Sequence, residues 1–244
     1  MSQARRGRIG SETQAGLPST KRAKMKVFTW NTQGNFQQGT KWEDVLNLMV
    51  QCDVGLIQEG GGDASGGEVN LGHLFAVKGA APGALNTRCC NWTISKQEGT
   101  AWYSRTLGGG VAARQAAGII LDGTLLVSWH STAISEMDED TSALFREIID
   151  DVLKPGQAAR ALIGADFNTP LPNMIQVANS ATSGRMRGAY DNCIFHSGDS
   201  THQNGSTLDY FVMLQGSEPG NAPHMIEVYP IPESDHHPVV LSIE

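Results

Sequence analysis

Short apolar runs that each stop at, or open beside, a carboxylate, amide or imidazole constrain this chain more than any other feature. Lys26–Trp30 runs into Asn31, Val54–Gln58 into Glu59, and Leu125–Trp129 into His130. Ala161–Ala165 runs into Asp166, Phe167 and Asn168. Leu208-Asp209-Tyr210 opens a further apolar run, and Ser234-Asp235-His236-His237-Pro238 precedes the last one, Val239–Ile243. Runs of this length between turn signals read as buried strands. Strand ends deliver polar groups to a common rim, so the fold must be one that gathers several strand ends.

Helical spacing alternates with these runs. Thr40 before Lys41-Trp42-Glu43 predicts a capping-box start, and Trp42, Val45, Leu46 and Met49 recur on one face. Leu144, Phe145, Ile148, Ile149 and Val152 line a second helix entered through Asp138–Ser142, and Pro170–Ser180 predicts a short third. Ala117–Leu121 and Thr124–Trp129 flank Asp122-Gly123, a hairpin signal. Further strands are predicted at Leu208–Leu214, Met225–Tyr229 and Val239–Ile243. Many strands with hairpins and few helices predict an α/β fold, a four-layer α/β sandwich of two packed, mostly antiparallel sheets flanked by helices. With 244 residues, 40% hydrophobic, and no internal repeat or linker, residues 25–244 read as one domain.

Residues 1–24 carry Arg5, Arg6, Arg8, Lys21, Arg22 and Lys24 against Glu12 alone, without periodicity, and read as a disordered basic tail. Translation from Met25 is an alternative to Met1. Removing those seven charges from 18 basic and 25 acidic residues leaves 12 against 24. So acidic a domain is a poor general clamp for DNA, because phosphate neutralisation supplies most non-specific affinity. No apolar run approaches the roughly 18 residues of a membrane-spanning helix. No apolar h-region of a secretory signal is present as written, which fits a cytoplasmic protein or one exported by another route. None of the four cysteines has zinc-ligand spacing. A disulfide from Cys89 or Cys90 stays open.

Each polar residue has a bland reading beside its functional one. Glu59 is a solvated loop acid or a hard oxygen donor suited to Mg²⁺. Asn31 is a turn cap or a site amide. Strand alternation would point Asp166 and Asn168 the same way, with Phe167 packing behind; an Asx cap on the following helix explains Asn168 but not Asp166. Asp209 inside an apolar strand needs a partner, and His236 is the obvious one, leaving Asp235 for a metal. His130 is a satisfied rim histidine or an acid–base group. Jointly they form the set that metal-assisted phosphodiester cleavage requires.

Trp30-Asn31-Thr32-Gln33-Gly34, Ile57-Gln58-Glu59, His130, Asp166-Phe167-Asn168, Thr201-His202 before Leu208-Asp209-Tyr210, and Ser234-Asp235-His236-His237-Pro238 resemble, in this order, the endonuclease/exonuclease/phosphatase superfamily. Within it, the Thr-Trp-Asn-x-Gln-Gly start, Lys41-Trp42 and Leu-Asp-Tyr look most like the catalytic B subunits of cytolethal distending toxins; deoxyribonuclease I is a more distant relative. The resemblance implies a Mg²⁺ site (Mn²⁺ or Ca²⁺ as alternatives) at Glu59, Asp235 and Asn31. It implies His236, oriented by Asp209, as general base, and His130 at the leaving oxygen. Asp166 and Asn168 would position water and phosphate. Arg114 would bind phosphate oxygens, with Arg105 as the competing ligand, because Leu107-Gly108-Gly109-Gly110 shortens the chain between them relative to the toxins. It implies DNA cleavage, or phosphatase action on a phosphoinositide or other phosphomonoester. A toxin-like protein would also have delivery subunits and act inside a target cell. A non-catalytic binding module on the same scaffold is the reading from another class.

Overall fold

A computed structural model describes residues 24–81, 90–108, 113–131, 137–182, 190–216, 225–231 and 234–243. The basic tail through residue 23, Cys89, Gly109 and Gly110 lie outside the described residues. Among the described residues, thirteen strands form two sheets. The first contains β1 (Met25–Asn31), β2 (Val54–Gln58), β3 (Gly67–Leu71), β4 (Leu74–Lys78), β5 (Trp92–Ser95), β12 (Met225–Val228) and β13 (Val239–Ile243), in spatial order β12-β13-β1-β2-β5-β4-β3. The second contains β6 (Thr100–Gly108), β7 (Arg114–Leu121), β8 (Thr124–His130), β9 (Arg160–Asp166), β10 (Tyr190–Phe195) and β11 (Asp209–Gly216), in order β10-β11-β9-β8-β7-β6. The helices are α1 (Thr40–Gln51), α2 (Met137–Ile148), which runs on as a π-turn over Ile149–Leu153, and α3 (Leu171–Thr182).

Three apolar cores separate four layers. Val27, Leu56, Leu126, Leu162, Phe211 and Leu241 fill the space between the sheets. Phe28, Trp30, Val45, Leu48, Met49 and Ile57 pack the outer face of the first sheet against α1. Leu125, Val127, Leu144, Phe145, Ile148 and Ile163 pack the second sheet against α2. Neighbouring residues thus serve opposite cores, Val27 inward and Phe28 outward, Leu162 inward and Ile163 outward. Burial on both faces is why these central strands are continuous apolar runs rather than alternating ones. The four-layer α/β sandwich expected from the sequence is the observed architecture.

Several local expectations differ. The capping box does not form: Gly39 precedes the helix, no side chain caps it, and Thr40 is already helical. Asp209 opens β11 rather than lying inside it. Strands β3, β4, β5, β6 and β10 were not among the strands expected from the sequence. The Asp122-Gly123 hairpin is present, with φ of 47° and 71° at the two turn residues, as a two-residue turn of this kind requires. Gly60 to Gly66 forms a fixed loop, with Gly60 N–H donating to Cys90 O at 2.9 Å and Ala81 N–H to Ala64 O at 3.1 Å. Cys52 and Cys193 are free thiols, and the Cys90 thiol donates to Asp63 O at 3.4 Å. Among the described residues, no helix is long and apolar enough to cross a membrane.

Candidate active site

Strand register, more than any loop, assembles the polar cluster. β8 and β9 run parallel with His130 opposite Asp166, and β11 runs antiparallel to β9 with Asp209 opposite Asp166. Three adjacent strands therefore present His130, Asp166 and Asp209 in a row. In the other sheet, parallel β1 and β2 set Asn31 opposite Gln58, so Glu59 emerges at the same edge. β13 pairs antiparallel to β1 with Val239 opposite Thr29, which brings Ser234–Pro238 to the end where Asn31 sits. The indole N–H of Trp30 donates to His236 O at 3.1 Å, and Ser234 Oγ donates to Asn31 O at 2.8 Å, fixing that segment.

The two sheets meet behind this row. Gln58, fully buried, donates from its amide nitrogen toward Ser128 Oγ and Gly164 O of the opposite sheet, each at 3.1 Å. Gly164 has no room for a side chain: a Cβ there would lie 2.7 Å from Leu56 Cδ1 and 2.8 Å from Phe211 Cε1. This close approach lets β9 carry Asp166 up to the residues of β1.

Asp166 Oδ2 is the hub. It accepts from Asn31 Nδ2 at 2.9 Å and faces His130 Nε2 at 3.5 Å and His236 Nε2 at 3.6 Å. Its other oxygen, Oδ1, accepts the Asn168 N–H at 3.0 Å. Burial, reinforced by Asp209 nearby, pushes the Asp166 carboxyl up to about 6. Asn168 reaches the site through this turn and a left-handed backbone (φ 51°), not by continued strand alternation, while Phe167 is buried against Phe145 and Tyr210. The Asn168 amide then donates to Ser131 O at 3.2 Å.

His236 and His130 sit in opposite electrostatic settings. His236 Nδ1 binds Asp209 Oδ2 at 2.8 Å, and its Nε2 lies 3.6 Å from Asp235 Oδ1. Burial disfavours the charged ring, but the Asp209 hydrogen bond and the charges of Asp209, Asp166 and Asp235 outweigh it and raise its pKa to about 9. Asp209 is itself raised by burial, against the pull of His236. Thr201 Oγ1 accepts the Asp209 N–H at 3.0 Å and so anchors the partner of the histidine. His130, by contrast, is held well below its ordinary value by burial, with Arg114 and His236 adding to the effect. Its Nδ1 lies 3.8 Å from Glu59 Oε1 and has no hydrogen-bond partner.

Arg114 is buried beneath His130, donating from Nε to His130 O at 3.1 Å and from Nη2 to Ser131 O at 3.2 Å. Arg105 is instead held by Glu147 and Asp151 of the α2 segment. The structure thus places Arg114, not Arg105, next to the cluster. Glu59 emerges from β2 with φ 50° and a side chain 19% exposed.

Among the described residues, two groupings bring three potential metal-ligating atoms within 4.8 Å of one another: Asp166, Asp209 and His236, and His202, Asp235 and His236. Glu59 is in neither. Asp235 Oδ1 is buried without a hydrogen-bond partner, an orphaned acceptor in a half-open carboxylate, and such an oxygen suits a hard divalent cation. The residues present therefore fit a metal. Ser131 was not among the sequence candidates, and Thr201 stood in a quoted motif without a role; Ser131 directly follows His130, and Thr201 stands eight residues before Asp209.

The chain matches no protein-family model and no curated protein. Solved structures do match. A cytolethal distending toxin structure from Actinobacillus actinomycetemcomitans is similar at 18% identity, with a TM-score of 0.68, over 89% of this chain and 97% of that one. The endonuclease/exonuclease/phosphatase from Bacteroides vulgatus is similar at 13% identity, TM-score 0.61, over 91% and 99%. D. rerio TDP2 complexed with a single-strand DNA product is similar at 11% identity, TM-score 0.57, over 91% and 99%. At these identities the likeness is one of architecture, and the chain has the deoxyribonuclease I-like fold of endonuclease/exonuclease/phosphatase proteins.

Proposed function

We propose that residues 25–244 form one catalytic unit, a divalent-metal-dependent phosphodiesterase that acts as a DNA endonuclease resembling the B subunits of cytolethal distending toxins. The observation that carries this reading is the convergence of Asn31, His130 and His236 on one buried carboxylate oxygen, Asp166 Oδ2. A structural ion pair needs two partners; three acid–base or amide groups on one carboxylate oxygen point to chemistry.

Glu59 and Asp235 are the carboxylates for Mg²⁺, with Asn31 beside them. A cation held there would supply polarisation of a phosphoryl oxygen and would offset the Asp235 charge that helps keep His236 protonated. Asp209 holds His236 through Nδ1, leaving Nε2 to exchange a proton with the attacking water. Asp166 and Asn168 orient that water and the phosphate. His130, neutral and with Nδ1 unpaired, serves the leaving oxygen. Arg114, whose charge lies buried beside His130, counters the negative charge gained in the transition state.

A Mg²⁺-dependent assay offering supercoiled plasmid and phosphatidylinositol trisphosphate in parallel, with His236→Ala as control, tests this reading. Nicking that the substitution abolishes supports it. Phosphate release without nicking replaces the nuclease with a phosphatase on the same site, and no turnover of either overturns the proposal.

A further inference from the structure

We infer that His202 is a positioning residue that holds the Asp235 carboxylate in place for the metal, and is not itself a ligand. The inference rests on the reading of Asp235 as a metal carboxylate and adds the group that orients it.

The turn carrying His202 is fastened to the Asp235 segment by backbone bonds. Gln203 N–H donates to Asp235 O at 2.8 Å, and His237 N–H donates to Thr201 O at 2.7 Å. The Gln203 side-chain amide adds a bond to Ser234 O at 3.2 Å. His202 and His236 form an isolated antiparallel bridge, and their rings meet edge to face with centroids 4.6 Å apart. The turn closes on itself through Gly205 N–H to His202 O at 2.9 Å, with Gly205 at φ 92°.

Ring chemistry decides what His202 does there. The Asn204 backbone N–H donates to His202 Nδ1 at 3.1 Å. An imidazole nitrogen that accepts a hydrogen bond carries no proton, so in the neutral ring the proton is on Nε2. That Nε2 lies 3.4 Å from Asp235 Oδ2. A protonated nitrogen cannot ligate a metal, but it can steady a carboxylate oxygen. With Oδ2 engaged by His202, the orphaned Oδ1 is the oxygen left for a cation. Groups that orient a metal-ligating side chain in this way typically contribute 10–100-fold in metal affinity.

Mn²⁺ titration of the metal-free full-length protein, followed by electron paramagnetic resonance of the free ion, tests this without any turnover. His202→Ala is expected to weaken Mn²⁺ binding by roughly 10-fold. His202→Gln, whose amide N–H can occupy the place of Nε2–H, is expected to restore affinity to within about 3-fold of wild type, taking the lower part of that range as the whole effect. Thermal denaturation of each variant identifies any that lose the fold, and the Gln variant keeps the test decisive if Ala does. Wild-type affinity in His202→Ala, or a loss in folded His202→Gln equal to that of Ala, overturns the inference. Asp235→Ala separates the two levels: if it too binds Mn²⁺ normally, the metal reading of Asp235 falls. If it alone weakens binding, only the role of His202 falls.

Discussion

His130 and His236 face the same carboxylate oxygen, yet their neighbours leave one neutral and the other cationic at neutral pH. His236 is surrounded by Asp209, Asp166 and Asp235, and its pKa rises to about 9; His130 is buried beside Arg114 and stays neutral. In the metal-free protein, NMR titration of the ring protons is expected to show His236 losing its proton near pH 9, and Asp209→Asn is expected to move that transition downward. A titration unchanged in Asp209→Asn would show that Asp209 is not the dominant partner. The sign for stability follows from a folded pKa above the ordinary 6.5. The contribution of His236 is full below pH 6.5 and is lost as pH rises through about 9. In turnover, His130→Ala and His236→Ala are each expected to lower kcat by about 10²–10⁴-fold with the thermal transition retained. Glu59→Gln is expected to raise the Mg²⁺ concentration needed for half-maximal rate. Near-wild-type behaviour in all three would remove the site assignment. The identities of these residues were legible because each ends or opens an apolar run. The charge difference between the histidines was not, since it depends on which carboxylates lie across the sheet.

Register is the property that makes a site out of elements. Asp166 meets Asp209 because β9 and β11 pair antiparallel at those two residues, and it meets Asn31 because the sheets nearly touch at Gly164. Gly164→Ala would drive a methyl to within 2.7–2.8 Å of Leu56 and Phe211 in a fully packed interface. The expected cost is about 1–3 kcal/mol, read by urea denaturation, and a larger proportional loss of activity as β9 is pushed outward. An unchanged midpoint would mean that the sheets can separate freely there. Elements with both faces buried, such as β1, β2, β8 and β9, were readable from sequence as continuous apolar runs. Strands β3, β6 and β10 were not. They are sheet edges, half exposed and mixed in polarity, and β6 also shifts register between Tyr103 and Leu107. Edge strands carry polar residues that discourage further pairing, which erases the signal that a buried strand gives. The alternation inferred for Asp166 and Asn168 does not hold, because an Asx turn and a left-handed Asn168 replace the strand after Asp166.

At the scale of the whole molecule, charge and site point in different directions. The proposed nuclease must approach a polyanion, yet residues 25–244 hold 12 basic against 24 acidic side chains, and the six cations of residues 1–24 stand apart from them in the sequence. Within the described residues near the cluster, Arg114 is buried with Nε and Nη2 donating to backbone carbonyls, and Lys41 donates to the carbonyls of Thr32 and Gln33. Catalytic engagement and bulk affinity are therefore expected to separate. Binding of duplex DNA by the full chain, measured by fluorescence anisotropy over a salt series, should weaken steeply as salt rises. Deletion of residues 1–24 should flatten that dependence by about 0.9 in log–log slope for each phosphate that the tail neutralises. Single-turnover cleavage at saturating enzyme should change little, because the residues around Asp166 all lie within residues 25–244. If the slope is the same without the tail, residues 25–244 themselves neutralise phosphates, and their acidic balance hides a local cationic path. If cleavage at saturation collapses instead, the tail takes part in placing the scissile phosphate and not merely in capturing DNA.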